Sequence, residues 1–330
     1  MAGPPRRRGA AEPAQARPGR RGGRTARPAG ARPACRRLTV HATAGGGAAM
    51  SETGLCVMYH YVWPDERPVP DGIRPILASE FQRQIDELGE RYRIVSAEEF
   101  AAFLAGRAVA FGSKPPCLLT FDDGTWDHAE VAAPILARRG LSGVFFVLSG
   151  PAEGHLPAAH ALHWLLGRGE REAWNLIERA CAGDLGDEAA ALRVYHYETP
   201  RRARMKYAVN MHLPAEMAER VLWEAVRQAG GDPAGLAARW FADESQLRHM
   251  VELGMTLGIH GHTHRSMAAQ SPAEVREEIE RCVEFIRRVA GDRPRWFAPP
   301  FGATGMPQTT AAQMRESLAA AGVEAMVTTG

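Results

Sequence analysis

The chain contains 330 residues, of which 45% are hydrophobic and 24% are charged, and its formal net charge is +2. These values are typical of a globular protein with one large core or two smaller ones, and they exclude a fibre or a membrane-spanning protein. The cysteines are odd in number and widely spaced, which indicates neither a disulfide framework nor a thiolate metal site. They are Cys35, Cys56, Cys117, Cys181 and Cys282. We therefore expect a cytoplasmic protein.

Residues 1–49 differ in composition from the rest of the chain. They hold 11 arginines and one acidic residue, Glu12, so they carry a net charge of +10 and leave −8 on the remainder. With almost no side chains to bury, this segment is predicted to be disordered. It lacks the apolar stretch of a secretory signal. There are three alternatives for this segment. It is an arm that binds nucleic acid or membrane, an Arg-rich transit peptide, or upstream sequence translated ahead of a start at Met50.

We favour a start at Met50, because regular patterning begins directly after it. Short runs rich in β-branched and aromatic residues predict strands at 55–60, 92–96, 117–121, 143–148, 255–260, 295–298 and 325–329. Helical spacing of apolar residues predicts helices at 78–90, 97–104, 128–139, 272–289 and 310–321. Such alternation is typical of parallel strands joined by crossover helices. Because no Gly-rich phosphate loop occurs, we expect a closed barrel rather than an open doubly wound sheet.

The alternation is interrupted after residue 148 by about 100 residues with mainly helical patterning. We therefore divide the chain into the disordered segment 1–49, a first part of the barrel at 50–149, a helical insertion at 150–240 and a second part of the barrel at 241–330. The insertion leaves the barrel after a strand, so we expect it on the catalytic face as a lid or a wall that selects substrate. Its histidines His155, His160 and His163 are interpreted as structural.

Two short motifs follow predicted strands and together meet the needs of a hydrolytic metal site. The first, at 120–124, reads Thr-Phe-Asp-Asp-Gly, and the second, at 260–264, reads His-Gly-His-Thr-His. A catalytic zinc site takes three imidazole or carboxylate ligands and leaves one position for water, whose pKa falls to about 7. Two histidines and one aspartate supply the ligands, and the second aspartate is free to act as a base. The spacing of four favours His260 and His264, with His262 directed to solvent or substrate.

Here the chain resembles the NodB-type polysaccharide deacetylases, the carbohydrate esterase family 4 group. Similar motifs are those at 120–124 and 260–264, Phe-Ala-Pro-Pro-Phe-Gly at 297–302, Tyr-His-Tyr-Val at 59–62 and the helix at 81–88. The resemblance covers roughly residues 55–149 and 240–330. It implies a distorted, TIM-like (β/α)7 barrel that carries the helical insertion, and a divalent metal, with zinc first and cobalt or nickel as alternatives.

The resemblance also implies a role for each site residue. Asp122 is the general base, and the metal ligands are Asp123, His260 and His264. The backbone amide of Phe301 is the oxyanion donor. The expected activity is hydrolysis of an N-acetyl group on an amino sugar that is polymeric, lipid-linked or nucleotide-linked.

Two departures from the family pattern affect these roles. Ala298 replaces the arginine that many members use to orient the base. The given sequence ends at Gly330 without the late Leu-His motif that usually supplies the general acid. Either another residue donates the proton, with His60 and His262 as the candidates, or the chain is incomplete, or the activity is weak. The alternative functions are a deformylase or another C–N hydrolase, and a glycan-binding pseudo-enzyme. No nucleic acid is expected at the folded part.

Overall fold

The computed structural model describes residues 36–42, 54–107, 112–303 and 305–329. Its strands, in chain order, are β1 (Arg36–Ala42), β2 (Leu55–Tyr59), β3 (Val62–Trp63), β4 (Ile76–Leu77), β5 (Arg93–Ile94), β6 (Pro116–Phe121), β7 (Val144–Val147), β8 (Thr256–Ile259), β9 (Trp296–Phe297) and β10 (Ala325–Thr329). Seven of them lie at the predicted positions. The two-residue strands β3 and β4 pair in parallel as a separate small sheet.

The main sheet follows the order β2-β1-β10-β9-β8-β7-β6-β5, and β2 also pairs with β6. The sheet therefore closes on itself. From β6 to β10 every neighbouring pair is parallel, as are β2 with β6 and β5 with β6. The predicted barrel is confirmed, and its parallel strands place their carboxyl ends at one rim.

Three strands, β1, β3 and β4, lie outside the predicted runs, and β1 differs most from the prediction. β1 lies antiparallel between β10 and β2, within the segment 1–49 that composition predicted to be disordered. The other residues of that segment lie outside the described ones. A strand at this position covers two sheet edges whose backbone groups would otherwise lack partners, which is a physical reason for a short run to join the sheet.

Helices cover the barrel and build the insertion. They are α1 (Ala78–Arg91), α2 (Ala97–Leu104), α3 (Ala133–Arg138), α4 (Ala158–Arg168), α5 (Glu170–Ala180), α6 (Glu188–Val194), α7 (Pro200–Tyr207), α8 (Ala215–Gln228), α9 (Pro233–Trp240), α10 (Glu244–Glu252), α11 (Pro272–Ala290) and α12 (Gln308–Ala321). The helices α4 to α9 form the insertion, which is mainly helical as predicted. In the part of the chain that the structure describes, no helix has the length and apolar character needed to cross a membrane.

Local sequence explains several helix ends. Capping boxes begin α2 with Ser96 and Glu99, and α11 with Ser271 and Glu274. In each box the serine side chain accepts a hydrogen bond from the backbone N–H of the glutamate, and the glutamate side chain accepts one from the backbone N–H of the serine. The helix predicted at 128–139 begins instead as a π-helical turn at His128–Ala132. Pro134 explains the change, because it has no N–H to donate to the carbonyl four residues earlier.

Both faces of the parallel strands are buried. One core lies between the strands and α1, α3, α10, α11 and α12, and it includes Phe121 and Phe145, whose rings stack with centroids 4.3 Å apart. Alternate strand residues, among them Leu118, Phe146 and Trp296, form a second core. The insertion has a core of its own. The rim of the barrel is therefore supported by two packed cores of the barrel, and the helical insertion has a separate core.

Candidate active site

The two adjacent aspartates stand at the end of β6. The backbone N–H of Asp122 donates to the carbonyl oxygen of Tyr59 at 2.9 Å, which extends the pairing of β6 with β2 by one residue. Asp123 then takes a left-handed backbone conformation with φ of +84°. This turn ends the strand. Both carboxylates are buried.

The carboxylate of Asp123 meets two imidazoles. Its Oδ1 lies 3.4 Å from Nε2 of His260 and 3.2 Å from Nε2 of His264. One donor atom from each of these residues lies within 4.8 Å of the others. Oδ1 is buried and has no hydrogen-bond partner among the described atoms. Buried polar atoms are rarely left unsatisfied, so this donor set of one carboxylate and two imidazoles fits a divalent cation.

Contacts with neighbouring residues orient the imidazoles of His260 and His264. The Nδ1 of His260 lies 2.8 Å from the carbonyl oxygen of Ala298, just after β9, which leaves Nε2 for the cation. Contacts of this kind fix the tautomer and the orientation of a metal ligand. The ring of His264 packs against the ring of Phe301, with centroids 4.8 Å apart.

The loop that carries the histidines is fixed by two buried carboxylates. Glu278 of α11 accepts the backbone N–H of His262 at 2.6 Å and that of Thr263 at 2.9 Å. Glu219 of α8 accepts two hydrogen bonds from Arg265, at 2.9 and 2.5 Å. Glu278 belongs to the barrel and Glu219 to the insertion, so both the barrel and the insertion hold the loop that carries the histidines.

Unfavourable backbone conformations concentrate at this site. Among the described residues, four that are not glycine have positive φ, and three of them are Asp123, His264 and Phe301, at +84°, +62° and +60°. Each such conformation costs about 1–3 kcal/mol and persists only where the surrounding structure enforces it. Packing and hydrogen bonds therefore maintain the site geometry against local preference.

The surroundings shift the pKa values of the two aspartates in opposite directions. Burial raises the pKa of Asp122, although the imidazoles of His260 and His60 act in the opposite direction. Burial also acts to raise the pKa of Asp123, but contacts from His160, His260 and His264 outweigh it and hold that pKa well below its ordinary value. Burial lowers the pKa of His264 to about 4. A carboxylate pair with diverging pKa values suits one ligand and one proton acceptor.

Residues 215–326 match the family model for polysaccharide deacetylase. In these residues the chain is similar to that family. The matched residues include His260, His264 and the loop at 297–302, whereas the two aspartates lie outside them.

The chain is also similar to solved structures and to one further relative. It is similar to the Streptococcus pyogenes deacetylase PplD in complex with acetate, with 16% identity over 80% of this chain and 79% of that chain and a TM-score of 0.48. It is similar to IcaB from Ammonifex degensii, with 20% identity over 81% of each chain and a TM-score of 0.45. It is 29% identical over 68 residues to the uncharacterized protein YlxY of Bacillus subtilis strain 168. That match spans 20% of this chain and 21% of the relative.

The other predicted site residues lie in different settings. His60 is exposed at the end of β2, and its carbonyl oxygen accepts a hydrogen bond from Nε2 of His128. His262 is buried, and its Nδ1 lies 2.8 Å from Oγ of Ser149. The group of donor atoms that could hold a cation does not include His262. Phe301 lies beside His264, as described above.

The structure also brings His160 of α4 to the site, where its Nε2 lies 3.4 Å from Oδ2 of Asp123. The sequence interpretation of His160 as structural does not include this contact. A histidine on a helical segment gives no sign in the sequence of a partner on a distant strand. The expected position of the insertion over the catalytic face was the signal that pointed toward such a contact. No arginine or lysine forms an ion pair with Asp122 within the described residues.

Proposed function

We propose that this protein is a metal-dependent hydrolase that removes the N-acetyl group from an amino sugar in a polysaccharide or glycoconjugate. The observation that supports it best is the juxtaposition of Asp122 with the donor set of Asp123, His260 and His264 at the carboxyl rim of the barrel. A buried, unpartnered carboxylate oxygen facing two imidazoles is the arrangement that a catalytic cation needs. The family match at 215–326 supports the reaction class.

Asp123, His260 and His264 would hold the cation. Imidazole and carboxylate donors suit zinc, with cobalt or nickel as alternatives. When bound, such a cation supplies Lewis acidity toward the acetamide carbonyl and toward the attacking water. The Ala298 carbonyl keeps the His260 ring in place for this purpose, and Phe301 packs against the His264 ring.

Asp122 would be the general base. Its carboxylate is buried beside the ligand set, and burial raises its pKa above that of an ordinary aspartate. A raised pKa makes a carboxylate a better proton acceptor near neutral pH. Asp122 takes one proton from the attacking water, while its backbone N–H stays bonded to Tyr59 across the sheet.

His60 would be the proton donor to the leaving amine. In the pairing of β2 with β6, Tyr59 lies opposite Phe121, so the next position places His60 beside Asp122. The side chain of His60 is exposed, and the hydrogen bond from His128 to its carbonyl oxygen fixes the backbone. We prefer it to His262, whose ring contacts Ser149 and whose pKa is lowered by burial to about 4.

The backbone amide of Phe301 would stabilise the negative charge that develops on the carbonyl oxygen. The positive φ of Phe301 turns this peptide at the rim, and its ring contacts a ligand imidazole. A fixed N–H directed at a developing oxyanion is worth about 10²–10³ in kcat in hydrolases of known mechanism.

Acetate release tests the proposal. The full chain is stripped of metal, reloaded with zinc or cobalt, and offered oligomers of N-acetylglucosamine and other acetylated amino sugars. We expect acetate only from the reloaded protein. Formate from N-formylated sugars, without acetate, would assign the deformylase alternative, and cation binding without any product would refute hydrolysis and favour glycan binding.

A further inference from the structure

His160 is a buried polar side chain for which the proposed reaction has no use. It lies on α4 of the insertion with 1% of its surface exposed. Apart from the carboxylate of Asp123, which lies 3.4 Å from Nε2, its ring nitrogens have no hydrogen-bond partner among the described atoms. Such groups are rare in folded proteins, since an unsatisfied buried polar atom costs about 1–3 kcal/mol. An explanation must therefore lie in what His160 faces.

His160 faces the carboxylate of Asp123, and its ring packs edge-on against that of His264 with centroids 5.7 Å apart. Its Nε2 lies 3.4 Å from Oδ2 of Asp123. The other oxygen of the same carboxylate, Oδ1, is the one that lies close to His260 and His264. The two carboxylate oxygens are thus divided, with one toward the metal ligands and one toward the insertion.

The ring of His160 is held in place by aromatic neighbours. It meets Phe241 edge-on at 4.8 Å between centroids, and Trp240 and Tyr61 at 6.2 and 6.3 Å. These rings surround the imidazole with apolar surface, which strengthens any interaction that it makes with a carboxylate. They also resist rotation of the ring away from Asp123.

We propose that His160 is a positioning residue of the metal centre. By holding Oδ2 of Asp123, it keeps Oδ1 directed at the cation and makes the helical insertion part of the metal site. His160 is not a ligand itself, because the set of mutually close donor atoms comprises Asp123, His260 and His264. The inference rests on the proposed metal-dependent function.

The test measures metal affinity directly. Cobalt and zinc dissociation constants are determined by competition with a chelator for the full chain and for His160→Phe, which fills the volume but cannot donate. Loss of a partner that orients a ligand typically weakens metal binding about 10- to 100-fold, and we expect this loss together with a changed visible spectrum of the cobalt form. His160→Gln, whose terminal amide replaces the Nε2 donor, should restore most of the affinity.

A matched control lies one turn along the same helix. His163 packs against His160 and Tyr61, with ring centroids 5.7 and 6.1 Å away. The carboxylate of Asp123 pairs with His160, His260 and His264 in the part of the chain that the structure describes, and not with His163. His163→Phe should bind cobalt as the unmodified protein does. Thermal unfolding of each metal-free variant separates lost packing from lost affinity.

The outcomes are distinguishable. If the unmodified protein binds no divalent cation, the proposed function itself fails. If it binds and His160→Phe binds equally well, or if His163→Phe is impaired to the same degree, the positioning role is wrong while the proposed function stands. Where His160→Phe does not fold, His160→Met takes its place, because it is also apolar and is more flexible.

Discussion

The ion pair between Glu219 and Arg265 offers a sharp test of how the insertion supports the loop that carries His260 and His264. Glu219 lies on α8 of the insertion, and Arg265 directly follows the proposed ligand His264. The side chain of Glu219 is 6% exposed and that of Arg265 is 21% exposed. We consider Glu219→Gln, which keeps the shape of the side chain and one acceptor but removes the charge.

The expected magnitude follows from this partial burial. Two unit charges about 3 Å apart attract each other by about 5–6 kcal/mol at an effective dielectric constant of about 20. Removing one partner of a fully buried pair costs about 3–5 kcal/mol. Because a fifth of the Arg265 side chain reaches water and the introduced amide still accepts one hydrogen bond, we expect a loss of about 2–3 kcal/mol in the free energy of unfolding.

Urea unfolding of the metal-free protein measures this loss, and a zinc titration measures its consequence for the site. We expect the dissociation constant to rise about tenfold, because the residue next to His264 loses its anchor. The matched control is Glu224→Gln on the same helix, whose partner Arg227 lies 3.5 Å away with both side chains more than half exposed. Exposed pairs contribute about 0–1 kcal/mol. A Glu219→Gln variant as stable as Glu224→Gln would refute the reasoning.

Three further predictions concern catalysis, metal and packing. Asp122→Asn should lower turnover by about 10²–10⁴ while zinc remains bound, and near-normal turnover would remove Asp122 from the mechanism. His264→Ala should abolish zinc binding. The thermal midpoint of the unmodified protein should rise with zinc, by the equivalent of about 2.7 kcal/mol when the zinc concentration is 100 times the dissociation constant. The thermal midpoint of the variant should not change with zinc. Gly72→Ala should destabilise by about 1–3 kcal/mol, since an added Cβ would lie 1.7 Å from the carbonyl oxygen of His163, whereas Gly89→Ala, in open space on α1, should stabilise by about 0.5–1 kcal/mol. Equal unfolding free energies for the two glycine variants would contradict this assignment.

Much of the barrel could be predicted because its signals are local. Strands buried on both faces read as short apolar runs, and all seven predicted runs contain a strand. The helix predicted at 97–104 has those bounds in the structure, where Ser96 and Glu99 form its capping box. The approach of Asp123 to His260 and His264 followed from the rule that parallel strands end at one rim.

The strand β1 could not be predicted from composition. Averaged over residues 1–49, the excess of arginine and glycine indicates disorder. The run Arg36–Ala42 is only seven residues long, and it pairs with strands β2 and β10 that lie far from each other in sequence. Its structure depends on those edges rather than on its own composition.

The motifs of the site specify donor types, whereas the fold supplies their direction. Asp123, His264 and Phe301 hold positive φ that their residue types do not favour, so the sequence at those positions does not reveal the turn. The constraints come from separate elements: β2 pairs at Asp122, α11 and α8 hold the histidine loop, and α4 brings His160 to the far carboxylate oxygen of Asp123. Because two of these helices, α4 and α8, belong to the insertion, changes there should alter metal affinity as well as access of substrate. An insertion that served only as a lid would change substrate binding alone.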